Sequence, residues 1–120
     1  MNISFSLTTP QFRARTKTVT RRLGWLKLKP GDVLQSCEKC QGLKKGEHPV
    51  KLGKIKVVHV RREPLTALLH THAEGMLYGV TECEKEGFPH KTPEQFVSMF
   101  CLHNKCLPSS IVTRIQFYYL

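Results

Sequence analysis

Arg13-Ala-Arg-Thr-Lys-Thr-Val-Thr-Arg-Arg22 packs five cations and three threonines into ten residues without one acid. Arginine forks and a lysine point charge suit phosphate or carboxylate, and threonine hydroxyls add neutral donors and acceptors. Arg13, Arg15, Thr18, Arg21 and Arg22 are therefore candidate ligand-binding residues, set against the plainer reading of a solvated cationic loop. Trp25 follows directly and either stacks on a base or fills the core. Cys37-Glu-Lys-Cys40 has the spacing of a zinc half-site, with Cys101, His103 and Cys106 as its counterpart. Sixty residues separate Cys40 from Cys101, far beyond the second pair of a zinc ribbon, so reduced thiols and no metal are expected. His70 and His72 would share a face of a strand, but no third ligand accompanies them.

The charge around these residues is uneven. Residues 1–62 carry fifteen bases and three acids, residues 63–120 four bases and six acids, and Asp32 is the first acid in the chain. The first half is thus a candidate polyanion surface. A membrane partner is disfavoured, since neither a long basic amphipathic helix nor an apolar run of ~20 residues occurs. With 40% hydrophobic and 23% charged residues, the 120-residue chain reads as one globular domain spanning 1–120. No secretory leader is visible and the cysteine count is odd, which together point to a cytoplasmic protein with no cofactor.

Several elements must position the basic segment. Ile3, Phe5 and Leu7 alternate with serines, predicting a strand over 2–7. Thr9-Pro10 predicts an N-cap and a short helix to about Arg15. Lys29-Pro-Gly-Asp32 predicts a type II turn leading into a strand at Val33–Cys37, and another turn is expected near Lys44-Lys-Gly46. Residues 53–62 read as a strand buried at Val57 or Val58, whereas 63–80 mix helix and breaker signals. Thr81 with Glu84 predicts a capping box for a short helix ending at Gly87. Thr92-Pro-Glu-Gln95 predicts a stronger one, with Phe96, Met99 and Phe100 as its apolar stripe. Ile111, Thr113, Ile115, Phe117 and Tyr119 share one face of a strand that brings the domain to its end. Strands and helices do not alternate regularly, so the class is α+β: a curved sheet or small β-barrel with short flanking helices.

Lys17-Thr-Val-Thr-Arg-Arg22, followed by Lys29-Pro-Gly-Asp-Val-Leu34, resembles the signature of the ASCH superfamily, G-x-K-x-x-T/E-x-R ahead of a "GD" strand entry. Glu86-Gly-Phe88, Thr92-Pro-Glu-Gln-Phe96 and the strand at Arg114–Leu120 follow in the family's order, so the resemblance covers most of the chain. It is closest to the short stand-alone forms of bacterial and phage genomes. The resemblance implies a PUA-like barrel with a cleft beside the motif that takes RNA or a modified nucleoside. Some members are small amidohydrolases acting on N-acetylated cytidine. Their lysine, threonine and glutamate match Lys17, Thr20 and Glu86, and Arg22 matches the motif arginine. Arg15 stands where the motif has glycine, a side chain expected to alter the loop or crowd its mouth.

Those three residues fit amide hydrolysis, which needs a base, a nucleophile and an acid for the leaving amine: Lys17, Thr20 and Glu86 in turn. Neighbouring Arg15, Arg21 and Arg22, together with burial, would lower the pKa of Lys17. Positions 17 and 20 point to opposite faces of a strand but to one face of a helical turn, so pairing them requires a turn or loop. Two functions stand side by side: a module binding RNA or a nucleoside, and a hydrolase acting on an N-acylated cytidine-like nucleoside.

Overall fold

Backbone pairing in the computed structural model, which describes residues 1–70 and 77–120 in full and 73–76 by backbone alone, joins five strands into one sheet. They are β1 (Asn2–Ser4), β2 (Val19–Arg22), β3 (Val33–Cys37), β4 (Lys51–Pro64) and β5 (Ile111–Tyr119), in the order β1-β3-β4-β5-β2. Only β1 and β3 run parallel. The helices are α1 (Thr9–Arg13), α2 (Ala73–Lys85) and α3 (Pro93–Asn104), with a 3₁₀ turn at Leu65–Leu69. His72, half of the histidine pair considered above, lies outside the described residues.

The sheet is α+β in context and open. β1 and β2 are its two edges and do not pair with each other, so the small closed barrel is not formed. Curvature nevertheless brings the edges together. β4 carries an extra residue between Val57 and His59, a bulge that bends the strand and increases its twist. Val57 is buried and Val58 exposed, which resolves the face left open by the sequence.

Two cores lie on opposite faces. Ile3, Phe5, Phe12, Leu34, Ile55, Val57, Ile115 and Phe117 form one. The other unites Leu65 and Leu68 with Cys83 of α2, Phe96, Val97 and Phe100 of α3, and Val112. β5 separates them, and because helices cover its second face, Val112 and Arg114 are as buried as Thr113 and Ile115. The single apolar face expected of that strand is therefore half of its buried surface.

Local signals held where the chain turns. Asp32 N donates to Lys29 O (3.2 Å) with Gly31 at φ +95°, and Thr92 and Gln95 form the reciprocal cap of α3. Three expectations are corrected. β1 stops at Ser4, and Phe5 N instead donates to Cys37 O before the chain turns at Thr8. Thr9 lies inside α1, its hydroxyl bonded to Phe5 O, and the helix ends at Arg13. Thr81 caps nothing: it lies within α2, donating back to Leu77 O and Tyr78 O.

Candidate functional site

The C-terminal end of α2 is the hinge of the site. Gly87 takes φ +97°, Gly87 N donates to Glu84 O and Phe88 N to Cys83 O, which is the Schellman closure. A Cβ on Gly87 would meet Gln11 Cγ at 2.9 Å, so glycine also permits α1 to pack closely. Thr18 N donates to Lys85 O (2.8 Å), docking this helix end onto the chain entering β2. Glu86 is thereby held against the basic segment.

Lys17 and Arg21 reach Glu86 from one side of that extended segment. Lys17 Nζ lies 2.8 Å from Glu86 Oε1 and 2.7 Å from its carbonyl oxygen, and Arg21 Nη1 lies 3.1 Å from Oε2. Lys17, Arg21 and Glu86 are each about 97% buried or more. Burial is the largest influence on Lys17 and lowers its pKa below the ordinary 10.5, Glu86 opposes, and Arg22 and Arg21 add smaller downward pushes. Arg15 takes no part in that shift. It occupies the left-handed region (φ +60°), the conformation a glycine adopts freely, and its guanidinium lies over the Tyr119 ring at 5.3 Å.

The ionic network extends beyond the motif. Arg21 Nη2 bonds Glu82 Oε1 (2.5 Å) and Tyr78 OH (3.2 Å), and Arg114 donates to both oxygens of Glu82. Tyr78 in turn donates to Glu63 Oε1 at 2.6 Å. Burial alone would raise Glu82, but Arg114 and Arg21 hold its carboxyl down to about 2. Glu63, Glu82, Arg114 and Tyr78 were missed in the sequence. For Tyr78 and Glu82 the signal is the spacing of residues 78, 82 and 86 at i, i+4 and i+8 along α2 and its C-terminal cap, hidden when that helix is divided at Thr81.

Thr20 and Arg22, at alternate positions, turn to the other side of β2. Thr20 Oγ1 accepts from Arg22 Nε (3.0 Å), while Arg22 Nη2 donates to Ser4 O (2.5 Å) and its guanidinium lies 5.1 Å from the Phe5 ring centroid. Burial lowers the Arg22 pKa to about 10, with Glu86 and Cys40 working against it. Lys17 lies in irregular chain just before β2 and Thr20 within the strand, with the Thr20 hydroxyl bonded to Arg22 and Lys17 Nζ to Glu86.

A cleft of about 170 Å³ opens where these groups meet. Thr20, Arg21, Arg22 and Glu86 line it together with Phe5, Phe88, Phe96 and Phe100. Arg21 Nε is buried with no hydrogen-bond partner among the described residues. Lys17 is not part of the lining and meets the cleft through Glu86. The stripe on α3 serves both as core and as cleft wall. A larger, more open depression of about 770 Å³ over Pro89–Lys91 and the start of α3 shares Phe88 with the cleft, but none of the ionic network.

The other sequence candidates lie apart. Arg13 and Thr18 are exposed, and Trp25 is half-buried against the first core. Cys37 ends β3, whereas Cys101 and Cys106, with sulfurs 3.9 Å apart, pack on the second core. Among the described residues no group of three or more His, Cys, Asp or Glu side chains is placed to hold a metal ion. Nor is any described helix long and apolar enough to cross a membrane.

Fold and site together define an open-sheet α+β protein with a buried ionic network beside an aromatic cleft. Among solved structures it is similar to the crystal structure of protein EF3133 from Enterococcus faecalis V583, which carries the DUF984 family model. The TM-score is 0.58 at 13% identity, over 95% of this chain and 70% of that one. This likeness is one of fold. No family model matches the sequence, and no curated protein matches it.

Proposed function

We propose that the chain is an ASCH-like, PUA-like domain that binds RNA or a modified nucleoside in the cleft beside β2. One observation carries this reading: four phenylalanines wall a cleft whose polar lining includes Thr20, Arg21, Arg22, Glu86, His103 and Asn104. Aromatic walls suit the face of a base, and a few fixed polar groups suit its edge. At about 170 Å³ the cleft is smaller than the roughly 300 Å³ at which drug-sized pockets begin, so it takes one ring and leaves sugar and phosphate outside.

Binding of a fluorescent single-stranded RNA to wild type and Thr20→Val, measured across salt, tests this. Affinity should fall with a slope of about −0.7 per neutralised phosphate and weaken in the variant, while binding of an uncharged nucleoside hardly responds to salt. A folded wild type that binds neither would overturn the assignment.

The contact of Lys17 with Glu86 favours a second reading, an amidohydrolase acting on an N-acylated cytidine-like nucleoside. Burial eases the loss of the lysine proton, as a base requires. Transfer of the Lys17 proton to Glu86 would leave a neutral amine that takes the Thr20 proton as its oxygen bonds to the acyl carbon. Glu86 would then protonate the leaving amine as the C–N bond breaks, leaving the acyl group as an ester on Thr20. Water then releases the acid. The hydroxyl of Thr20 instead faces Arg22, which is why binding ranks first. Chromatographic turnover of N-acetylcytidine, lost in Lys17→Ala and Thr20→Ala, would reverse that order; no turnover by folded wild type removes the hydrolase.

A further inference from the structure

The gap between the edge strands continues past the cleft. Ser4 and Arg22 line the cleft, and the bond between Arg22 Nη2 and Ser4 O spans the gap at that point. One residue beyond Arg22, Leu23 lines a separate hollow of about 450 Å³, and Asn2, two residues before Ser4, lines it from β1. Trp25, Leu26, Lys27, Leu28, Asp32 and Met1 complete its lining. This volume falls within the range of small-ligand pockets.

We propose that this hollow takes a second nucleobase, stacked on Trp25, so that the ligand is single-stranded RNA of at least two nucleotides. The inference rests on the cleft reading and narrows it to a polymer. Three features support it. Trp25 is held at φ +56° directly after Gly24 at φ +80°, a conformation that bulky residues rarely adopt. Backbone strain of this kind concentrates at binding and catalytic positions. Gly24 O accepts from Thr113 Oγ1, which ties the strained turn to β5, and Trp25 packs on the first core, so the indole is pre-positioned.

Apolar surface is left open around it: Leu23 is 40% and Leu26 71% exposed. Charge then selects the partner. Lys27 lines the hollow and Lys29 stands exposed beside it, while Asp32, the one carboxylate in the lining, accepts from Lys29 N. An aromatic platform beside exposed lysines is the pairing that single-stranded nucleic acid uses.

Trp25 is the only tryptophan, so its emission reports this site alone. The test titrates wild type with a mixed-sequence RNA of about eight nucleotides, within the usual span of single-strand sites, and with cytidine. RNA should quench the emission saturably and cytidine should not. By anisotropy of the labelled RNA, Trp25→Ala should weaken binding roughly 5- to 150-fold, the contribution of one base–aromatic stack, and Trp25→Phe should restore most of it. The Phe variant guards against a merely misfolded Ala variant. RNA bound without quenching, at equal affinity in Trp25→Ala, overturns the second compartment and leaves the cleft reading intact. No RNA bound at low salt, with cytidine still bound, also overturns it and confines the cleft to nucleosides. Binding of neither removes both.

Discussion

Arg22 Nη2 lies 2.5 Å from the carbonyl oxygen of Ser4, a bond between the two outermost strands of the sheet. One side chain thus spans the gap that backbone pairing leaves open. The same guanidinium orients Thr20 and covers Phe5. Arg22→Met should lose about 1.5–3 kcal/mol, the contribution of charged hydrogen bonds, and speed amide exchange at Phe5. An unchanged urea midpoint would show that the bridge contributes nothing to stability.

Glu86 neutralises two buried cations. Glu86→Gln leaves Lys17 and Arg21 short of their shared carboxylate and should cost about 3–5 kcal/mol, because unpaired buried charge is expensive. Adding Lys17→Met to it should recover part of that loss. Thermal melts of the single and double variants supply the coupling energy, and strictly additive losses would contradict the pairing.

Acid stability should follow Glu82. Its carboxyl titrates at about 2 in the folded chain against an ordinary 4.5, so folding favours the ionised form. The stabilisation is complete above pH 4.5 and is lost as pH falls towards 2, about 3 kcal/mol in all. Urea melts between pH 7 and pH 2.5 should show the decline in wild type and a shallower one in Glu82→Gln. Equal slopes would dismiss the shift.

Gly79 lies where α2 crosses the 3₁₀ turn. A Cβ there would stand 2.3 Å from Leu68 O and 2.8 Å from Pro93 Cγ. Gly79→Ala should therefore destabilise by about 1–3 kcal/mol, outweighing the ~1 kcal/mol that alanine gains in a helix. A variant more stable than wild type would mean that the helices separate without cost.

What the sequence revealed depended on how local the cause was. The Thr92 cap and the Pro30-Gly31 turn are decided within four residues, and both formed as read. α2 was divided because Gly79 resembles a breaker and Thr81-x-x-Glu84 resembles a start. Its continuity comes from tertiary contact: the carbonyl of Leu68 leaves no room for a side chain at 79. The open sheet was illegible for the same reason, since two edges meeting through Arg22 leave no periodic trace. Of the site, the fold brings Lys17 onto Glu86, two residues that the motif had singled out, and adds Arg21, which the motif had not. The partners Glu63 and Arg114 lie on strands whose neighbours only the fold decides.

β5 pairs with β4 on one side and with β2 on the other. During synthesis this sets an order of events. β2, with Thr20 and Arg22, emerges early and has no backbone partner until residues 111–119 follow, a wait on the order of ten seconds at translation rates of roughly 5–20 residues per second. Throughout that interval the nascent chain carries a basic strand, Val-Thr-Arg-Arg, without its sheet partner. A chain interrupted before Ile111 would present the motif without its cleft.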